Sequence, residues 1–173
     1  MTKPRYNLAI RSARTLLEDQ GIVEPPIDVE RIARTLGFAV RRGELNGDVS
    51  GTAIRRGMDI VLGINSKQSP ERQRFSLAHE LGHALLHDDP LHLDELAVIG
   101  FRSDLSSTAN DPKEVEANQF AAELLMPEAF IRKDLEGEHD AELDAVIESL
   151  AKRYQVSIQA MAIRVSKFAN FIL

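Results

Sequence analysis

Residues 69–87 read SPERQRFSLAHELGHALLH, and this stretch decides how the rest of the chain is interpreted. Ser69 followed by Pro70 is typical of a helix start, because serine can cap the first turn and proline is tolerated at its first position. Beyond them apolar residues recur at helical spacing, at Phe75, Leu77, Ala78, Leu81, Leu85 and Leu86. The stretch therefore predicts one helix with a marked start, and the run from His79 to His83 lies inside it.

Two histidines in this helix stand four residues apart. Successive helical residues are about 100° apart, so His79 and His83 differ by only about 40° and project from one face. Both can therefore hold one metal ion, while Glu80, about 60° from His83, can reach a water activated by that metal. The alternative is a pair of core histidines that are satisfied by hydrogen bonds alone. The motif favours a zinc-dependent peptidase, provided that a third ligand exists.

The third ligand has to be a histidine or a carboxylate, because the chain contains no cysteine. Metzincin peptidases take a third histidine six residues after the second, but here that position is Asp89. The remaining arrangement takes a glutamate from a second helix packed beside the first. Asp111-Pro112 opens such a helix, which is predicted to run from Lys113 to Met126.

This second helix offers two glutamates, Glu114 and Glu116. Glu114 shares the apolar face, whereas Glu116, about 200° away, is predicted to point more outward. Glu114 is therefore favoured as the ligand, with Glu116 as the alternative, although an acidic residue in a first helical turn is also explained by the helix dipole alone. Asn118, four residues after Glu114, is placed to contact a ligand histidine. The apolar face consists of Ala117, Phe120, Ala121, Leu124 and Leu125.

The charge of the chain excludes nucleic acid as a default partner. Its 21 Lys and Arg against 27 Asp and Glu give a formal net charge of −6, whereas phosphate binding needs a basic surface. No run approaches the roughly 20 apolar residues of a membrane span, and no signal-type apolar run follows Met1. We expect a cytoplasmic protein that does not bind DNA directly.

The order of the elements predicts an α+β fold. Helical spacing over 5–20 and 28–36 precedes three strand-like runs at 38–40, 49–54 and 58–64, and further helices follow. We expect a small, mainly antiparallel three-stranded sheet next to the His79 helix, with residues 88–111 as a loop. Asn46-Gly47 and Arg56-Gly57 are predicted turns. The expected division is a metallopeptidase domain, residues 1–130, and a helical extension packed on it, residues 131–173.

Residues 150–165 resemble a helix-turn-helix, with Val156-Ser157 as turn and cap and Arg164 on the second helix. One interpretation is DNA binding. The acidic chain and the scarcity of base-reading groups at the exposed positions favour instead a packing module or a docking surface.

Three further histidines need an interpretation. His87 lies eight residues after His79, which is about 80° round the helix and two turns away, so one ion cannot easily be shared with it. We interpret His87 as structural, with a contact to substrate or transition state as the alternative. His92 and His139 have no partner pattern and are expected at the surface.

The two helical motifs together resemble the ImmA/IrrE family of metallo-endopeptidases. The runs RQRFSLAHELGHALLH, residues 72–87, and EVEANQFAAELLMP, residues 114–127, carry the likeness. Upstream runs extend it over most of residues 8–130: Pro25-Pro26-Ile27-Asp28, Ser50-Gly51-Thr52 and Ile64-Asn65. The resemblance implies a zincin-like minimal core in a cytoplasmic bacterial or phage enzyme that cleaves a helix-turn-helix repressor of the XRE type. It also implies that His79, His83 and Glu114 are the zinc ligands and that Glu80 is the catalytic base.

Several alternatives stay open at this point. A set of two histidines and one carboxylate can hold Mn²⁺ or Fe²⁺ as well as Zn²⁺. The chain could be a metal-bound, non-cleaving partner of a repressor, as in a toxin–antitoxin pair, or a DNA-binding regulator that uses residues 150–168. The presence of Glu80 favours the enzyme, because a pure binder has no need of a general base.

Overall fold

The computed structural model describes residues 3–46, 49–88, 91–95, 111–136 and 142–167. Seven helices lie in these ranges: α1 (Tyr6–Asp19), α2 (Val29–Thr35), α3 (Pro70–Leu86), α4 (Pro112–Leu125), α5 (Glu128–Leu135), α6 (Leu143–Tyr154) and α7 (Ile158–Ser166). The strands described there are β1 (Ala39–Gly43), β2 (Val49–Arg56), β3 (Asp59–Asn65) and β4 (Leu91–Glu95). None of the helices in these ranges has the length and apolar character needed to cross a membrane.

The strands form one mixed sheet in the order β1-β3-β2-β4. Strand β2 pairs antiparallel with β3 and with β4, whereas β1 pairs parallel with β3. The predicted α+β fold with a mainly antiparallel sheet is confirmed. The sheet has a fourth strand, because residues 91–95 of the predicted loop add to the free edge of β2. Strand β1 pairs with the far side of β3, and not with β2, and it runs parallel to β3.

The predicted helix starts have side-chain caps. Asp28, Ser69 and Asp111 each accept a hydrogen bond from a backbone N–H two or three residues ahead, over 2.9, 3.3 and 2.9 Å. Gly21 and Gly37 follow α1 and α2 with φ of +63° and +84°, a conformation that glycine adopts at little cost. The starts of α2, α3 and α4 and the ends of α1 and α2 therefore follow from local chemistry.

Of the two predicted turns, one is confirmed and the other lies partly outside the described residues. Gly57 lies in the turn between β2 and β3 with φ of +62°, so the turn at Arg56-Gly57 is confirmed. The predicted turn at Asn46-Gly47 includes Gly47, which lies outside the described residues.

Helix α3 lies at the centre, packed against β2 and β3 on one side and α4 on the other. Gly82 permits the close approach of α3 and α4, because a Cβ there would lie 3.0 Å from Phe120 Cδ1 and 3.3 Å from Ala117 Cα. Gly82 follows His79 by about one turn, and Ala117 follows Glu114 by about one turn. The same close approach therefore brings Glu114 towards the histidines.

Helices α6 and α7 have the predicted helix-turn-helix arrangement. Ser157 caps α7 by accepting the backbone N–H of Ala160 over 3.1 Å. Arg74 of α3 donates to the backbone carbonyl oxygens of Gln155 and Tyr154, which lie between or at the ends of these helices. These bonds tie the α6–α7 pair to the central helix. The division of the chain at residue 130 stays a prediction.

Arg164, predicted on the second helix of that motif, does not face solvent. It is 6% exposed, its guanidinium pairs with Glu123 of α4, and its Nε donates to the backbone oxygen of Met126 over 3.0 Å. Its positive charge therefore forms an ion pair in the interior contact between α7 and α4.

Candidate metal centre

Three side chains from α3 and α4 converge in the interior. The Nε2 atoms of His79 and His83 lie 3.1 Å apart. Glu114 places Oε2 3.3 Å from the first and Oε1 3.2 Å from the second. Of the His, Cys, Asp and Glu side chains in the described ranges, these three form a group that could hold a metal ion, with ligand atoms all within 4.8 Å of one another.

The chemistry of this donor set fits a divalent cation. Two imidazole nitrogens and one carboxylate are a known catalytic zinc set that leaves a coordination position open. His79 is turned correctly for this, because its Nδ1–H donates to the side-chain oxygen of Asn118 over 3.0 Å. An amide oxygen only accepts, so the proton is on Nδ1 and the lone pair of Nε2 faces the other two groups. Asn118 thus has the role that its position four residues after Glu114 predicted.

The electrostatics of the site favour a bound cation. Burial by itself would raise the pKa of Glu114, but the imidazoles of His79 and His83, which lie within hydrogen-bonding distance of its carboxylate, outweigh it and hold the pKa well below its ordinary value. Burial lowers the pKa of His83. At neutral pH the site therefore combines an ionised carboxylate with a neutral imidazole.

Glu80 follows His79 in α3 but is not a member of this group. Its side chain is fully buried and packs against β2 at Gly51, where a Cβ would lie only 2.8 Å from Oε1 of Glu80. No other residue type fits at that position without moving the carboxylate. Sequence reasoning used Gly51 only as part of the family likeness and missed this contact.

Glu116 is not exposed, so the prediction that it points outward is wrong. It is 3% exposed and receives hydrogen bonds from Arg5, including one from Nη2 over 2.7 Å. These bonds lower the pKa of Glu116 to about 2. Helix α4 packs against α3 on one side and α1 on another, so both of its faces are covered. The carboxylate of Glu116 contacts Arg5 and His87, and it is not among the three groups that converge.

His87 caps the end of α3 and is buried, with Nδ1 3.2 Å from Nδ1 of His83 and Nε2 3.1 Å from Oε2 of Glu116. Its structural role, predicted from the sequence, stays a prediction, and its contacts reach a proposed ligand. The side chain of His92 and the whole of His139 lie outside the described residues. Arg5, which no motif singled out, was missed.

Comparison with known proteins identifies the family. The peptidase family described as the IrrE N-terminal-like domain matches residues 44–166. The radiation response metalloprotease IrrE of Deinococcus radiodurans is 39% identical over 106 residues, and that of Deinococcus deserti is 43% identical over 76 residues. The matches cover 56% and 41% of this chain and 28% and 24% of those relatives. The chain thus spans about a quarter of the length of these relatives.

A solved structure shows the same fold. A Mycobacterium tuberculosis transcriptional regulator superimposes with a TM-score of 0.60 at 18% identity, over 94% of this chain and 48% of that one. At such identity the likeness concerns the fold alone. The family match covers well over half of the chain, in agreement with the predicted ImmA/IrrE resemblance, and the chain belongs to the IrrE N-terminal-like family of peptidases.

Proposed function

We propose that this chain is a zinc-dependent endopeptidase that cleaves a helix-turn-helix repressor of the XRE type and so relieves repression. The observation that carries the proposal is the convergence of two imidazole nitrogens and one carboxylate within 4.8 Å, beside a buried glutamate of the same helix. His79, His83 and Glu114 are the proposed ligands, and Glu80 is the proposed general base.

The metal and the side chains have different roles in the proposed reaction. Zinc, when bound, supplies Lewis-acid chemistry that polarises a peptide carbonyl and lowers the pKa of water. Glu80 takes a proton from the attacking water while the water oxygen bonds to the peptide carbon. It then passes that proton to the amide nitrogen as the C–N bond breaks, which leaves one new carboxyl end and one new amine end. The close contact with Gly51 limits the movement of the Glu80 carboxylate.

The choice of zinc rests on the ligand set, since two histidines and one glutamate are typical of zinc peptidases. Mn²⁺ and Fe²⁺ are the alternatives for such a set. Activity of the protein reconstituted with each metal in turn separates the three.

The repressor as substrate is supported by the family likeness. The Deinococcus relatives are metalloproteases of the radiation response by name. A repressor acts where the DNA is, so this substrate would place the enzyme in the cytoplasm.

Two other functions have weaker support. A DNA-binding regulator would need cationic side chains on α7, but Arg164 is buried against Glu123, and the net charge is −6. A non-cleaving, metal-bound partner would have no use for Glu80 beside the ligand group. The peptidase accounts for both observations.

The test is incubation of the zinc-loaded protein with helix-turn-helix repressors of the XRE type from the same organism, followed by gel electrophoresis and mass spectrometry. We expect cleavage by the wild type. In Glu80→Gln we expect kcat to fall about 10²- to 10⁴-fold, the usual contribution of a general base, while zinc content is unchanged.

The matched control is Glu71→Gln, which neutralises an exposed glutamate in the first turn of the same helix and should leave kcat unchanged. Cleavage by Glu80→Gln at the wild-type rate would contradict the assignment of the base. A zinc-loaded wild type that leaves the repressor intact would contradict the proposed function.

A further inference from the structure

A line of four side chains runs from the surface to the candidate metal centre. Arg5, which precedes α1, contacts Glu116 of α4; Glu116 contacts His87 at the end of α3; and His87 contacts His83. The successive distances are 2.7 Å from Arg5 Nη2 to Oε2, 3.1 Å from Oε2 to His87 Nε2, and 3.2 Å between the two Nδ1 atoms. The line joins residues 111 positions apart and ends on a proposed ligand.

The chemistry of the partners fixes where each proton lies. Arg5 donates to both oxygens of Glu116, so this carboxylate accepts, and His87 donates to it from Nε2. As a ligand through Nε2, His83 carries its proton on Nδ1, and the facing Nδ1 of His87 accepts it over 3.2 Å. The remaining nitrogen of His83, Nε2, is left with its lone pair, and this atom faces His79 and Glu114.

Because these side chains are buried, water cannot easily replace the hydrogen bonds between them. The side chains of His83, His87 and Glu116 are 3%, 2% and 4% exposed. Water therefore has little access to the nitrogens that face each other, and a partner removed from this line leaves a buried polar atom unsatisfied. A buried imidazole without such a partner can turn over or exchange tautomers.

Arg5 fixes the orientation of the carboxylate. Its backbone N–H donates to Oε1 of Glu116 over 2.8 Å, and its Nη2 donates to Oε2 over 2.7 Å. The carboxylate is thus held at both oxygens with Oε2 directed at His87. Arg5 is 53% exposed on its side chain, so its substitution should disturb the core little.

We propose that Arg5, Glu116 and His87 are positioning residues for the metal, which hold His83 in the tautomer that presents Nε2 to the site. The inference rests on the ligand set of the proposed function, and not on the reaction or on the substrate. Outer partners of this kind contribute about 10- to 100-fold to metal affinity in proteins.

The first test requires no substitution. In the zinc-loaded, ¹⁵N-labelled protein, NMR of the imidazole nitrogens should show the proton of His83 on Nδ1, with scalar coupling across the bond to Nδ1 of His87. A proton on Nδ1 of His87, with His83 bound to zinc through Nδ1, would overturn the proposal.

The second test is zinc affinity, measured by competition with a chelator. His87→Phe removes the acceptor and should weaken zinc binding about 10- to 100-fold. His87→Gln, whose side-chain oxygen can accept the same proton, should recover most of this loss. Arg5→Ala should weaken binding by a smaller factor, because the carboxylate remains but loses its fixed orientation.

The control is Glu123→Gln, which disturbs another buried ion pair on the same helix. It should lower stability but leave zinc affinity and the His83 signals as in the wild type. Unchanged affinity in both His87→Phe and Arg5→Ala would overturn the inference. Tight zinc binding with the expected tautomer but no cleavage of a repressor would count against the proposed function alone.

Discussion

Helix α4 carries three buried glutamates, and two of them, Glu114 and Glu123, have partners that differ in kind. Glu123 is 1% exposed and lies between two guanidinium groups, that of Arg14 at 2.7 Å and that of buried Arg164. Glu114 is 8% exposed and faces two imidazole nitrogens at 3.3 and 3.2 Å. Arginine is always charged in proteins, whereas an imidazole can offer a neutral lone pair.

The difference separates a structural carboxylate from a functional one. The charge of Glu123 is matched by cations that belong to the chain, so the interaction is complete and holds α1, α4 and α7 together. The charge of Glu114 is set beside lone pairs, and the three groups together favour an external cation. Burial does not distinguish the two residues; their partners do.

The largest expected effect is the loss of stability in Glu123→Gln. Removing the carboxylate leaves the guanidinium of Arg164 buried without its counter-charge, and such a change typically costs about 3–5 kcal/mol. We expect the free energy of unfolding in urea to fall by about this amount, while zinc affinity is unchanged.

Glu128→Gln is the matched control for that experiment. Glu128 also pairs with Arg14, at 3.0 Å, but from a partly exposed position. Its loss should cost less than about 1 kcal/mol, as is usual for surface ion pairs. Equal losses in the two variants would show that burial does not separate these carboxylates.

The second expected effect is the loss of metal binding in Glu114→Gln. The variant removes a proposed ligand, so zinc affinity should fall by more than about 100-fold, beyond the range for outer partners. Zinc at 100 times its Kd should raise the unfolding free energy of the wild type by about 2.7 kcal/mol. Urea titrations with and without zinc should show this gain in Glu123→Gln and not in Glu114→Gln.

Without metal, Glu114→Gln should unfold at about the wild-type urea concentration, because no charged partner of the chain loses its counter-ion. A metal-free variant destabilised as strongly as Glu123→Gln would remove the distinction between the two glutamates. Full zinc protection of Glu114→Gln would exclude Glu114 as a ligand.

The smallest expected effect concerns the fit of Glu80 against the sheet. Gly51→Ala would place a Cβ 2.8 Å from Oε1 of Glu80, so the base must move. We expect kcat on the repressor to fall roughly tenfold, since small displacements of a catalytic group are costly, with zinc affinity kept.

Gly63→Ala is the control for this pair of strands. Its Cβ would lie 2.7 Å from Cγ2 of Thr52, a comparable clash in the same sheet that does not involve Glu80. Stability should fall in both variants, but kcat only in Gly51→Ala. A similar fall in kcat for Gly63→Ala would mean that the sheet, and not the contact with Glu80, governs activity.

The parts of the site that could be predicted from sequence depend on local geometry. His79 and His83 share a face because four helical residues make slightly more than one turn. Glu114 followed from the assumption that the apolar face of α4 meets the histidine helix, and the structure brings these three groups together. The assumption failed for Glu116, because α1 covers a second face of α4.

Long-range pairing accounts for what the sequence did not reveal. Arg5 and Glu116 are 111 residues apart, and no spacing rule connects them. The motif placed Arg164 on the second helix of a helix-turn-helix, but a motif does not show the glutamate that such a side chain meets elsewhere in the chain.

The fold shows the same difference between local contacts, which the sequence reveals, and long-range contacts, which it does not. Helix starts at Asp28, Ser69 and Asp111 were predictable, because a cap is a contact between near neighbours. Strand β4 was missed in a polar stretch, although Leu91, His92 and Leu93 alternate as an edge strand does. The parallel pairing of β1 with β3 depends on strand order, which periodicity does not determine.

The central claim is that His79, His83 and Glu114 together hold the metal. Anomalous diffraction from zinc-loaded crystals, recorded on both sides of the zinc absorption edge, tests it most directly. We predict one strong anomalous peak bonded to Nε2 of both histidines and to the carboxylate of Glu114, and no such peak in Glu114→Gln. A peak bonded to Glu116, or the absence of any peak at the histidines, would contradict the account.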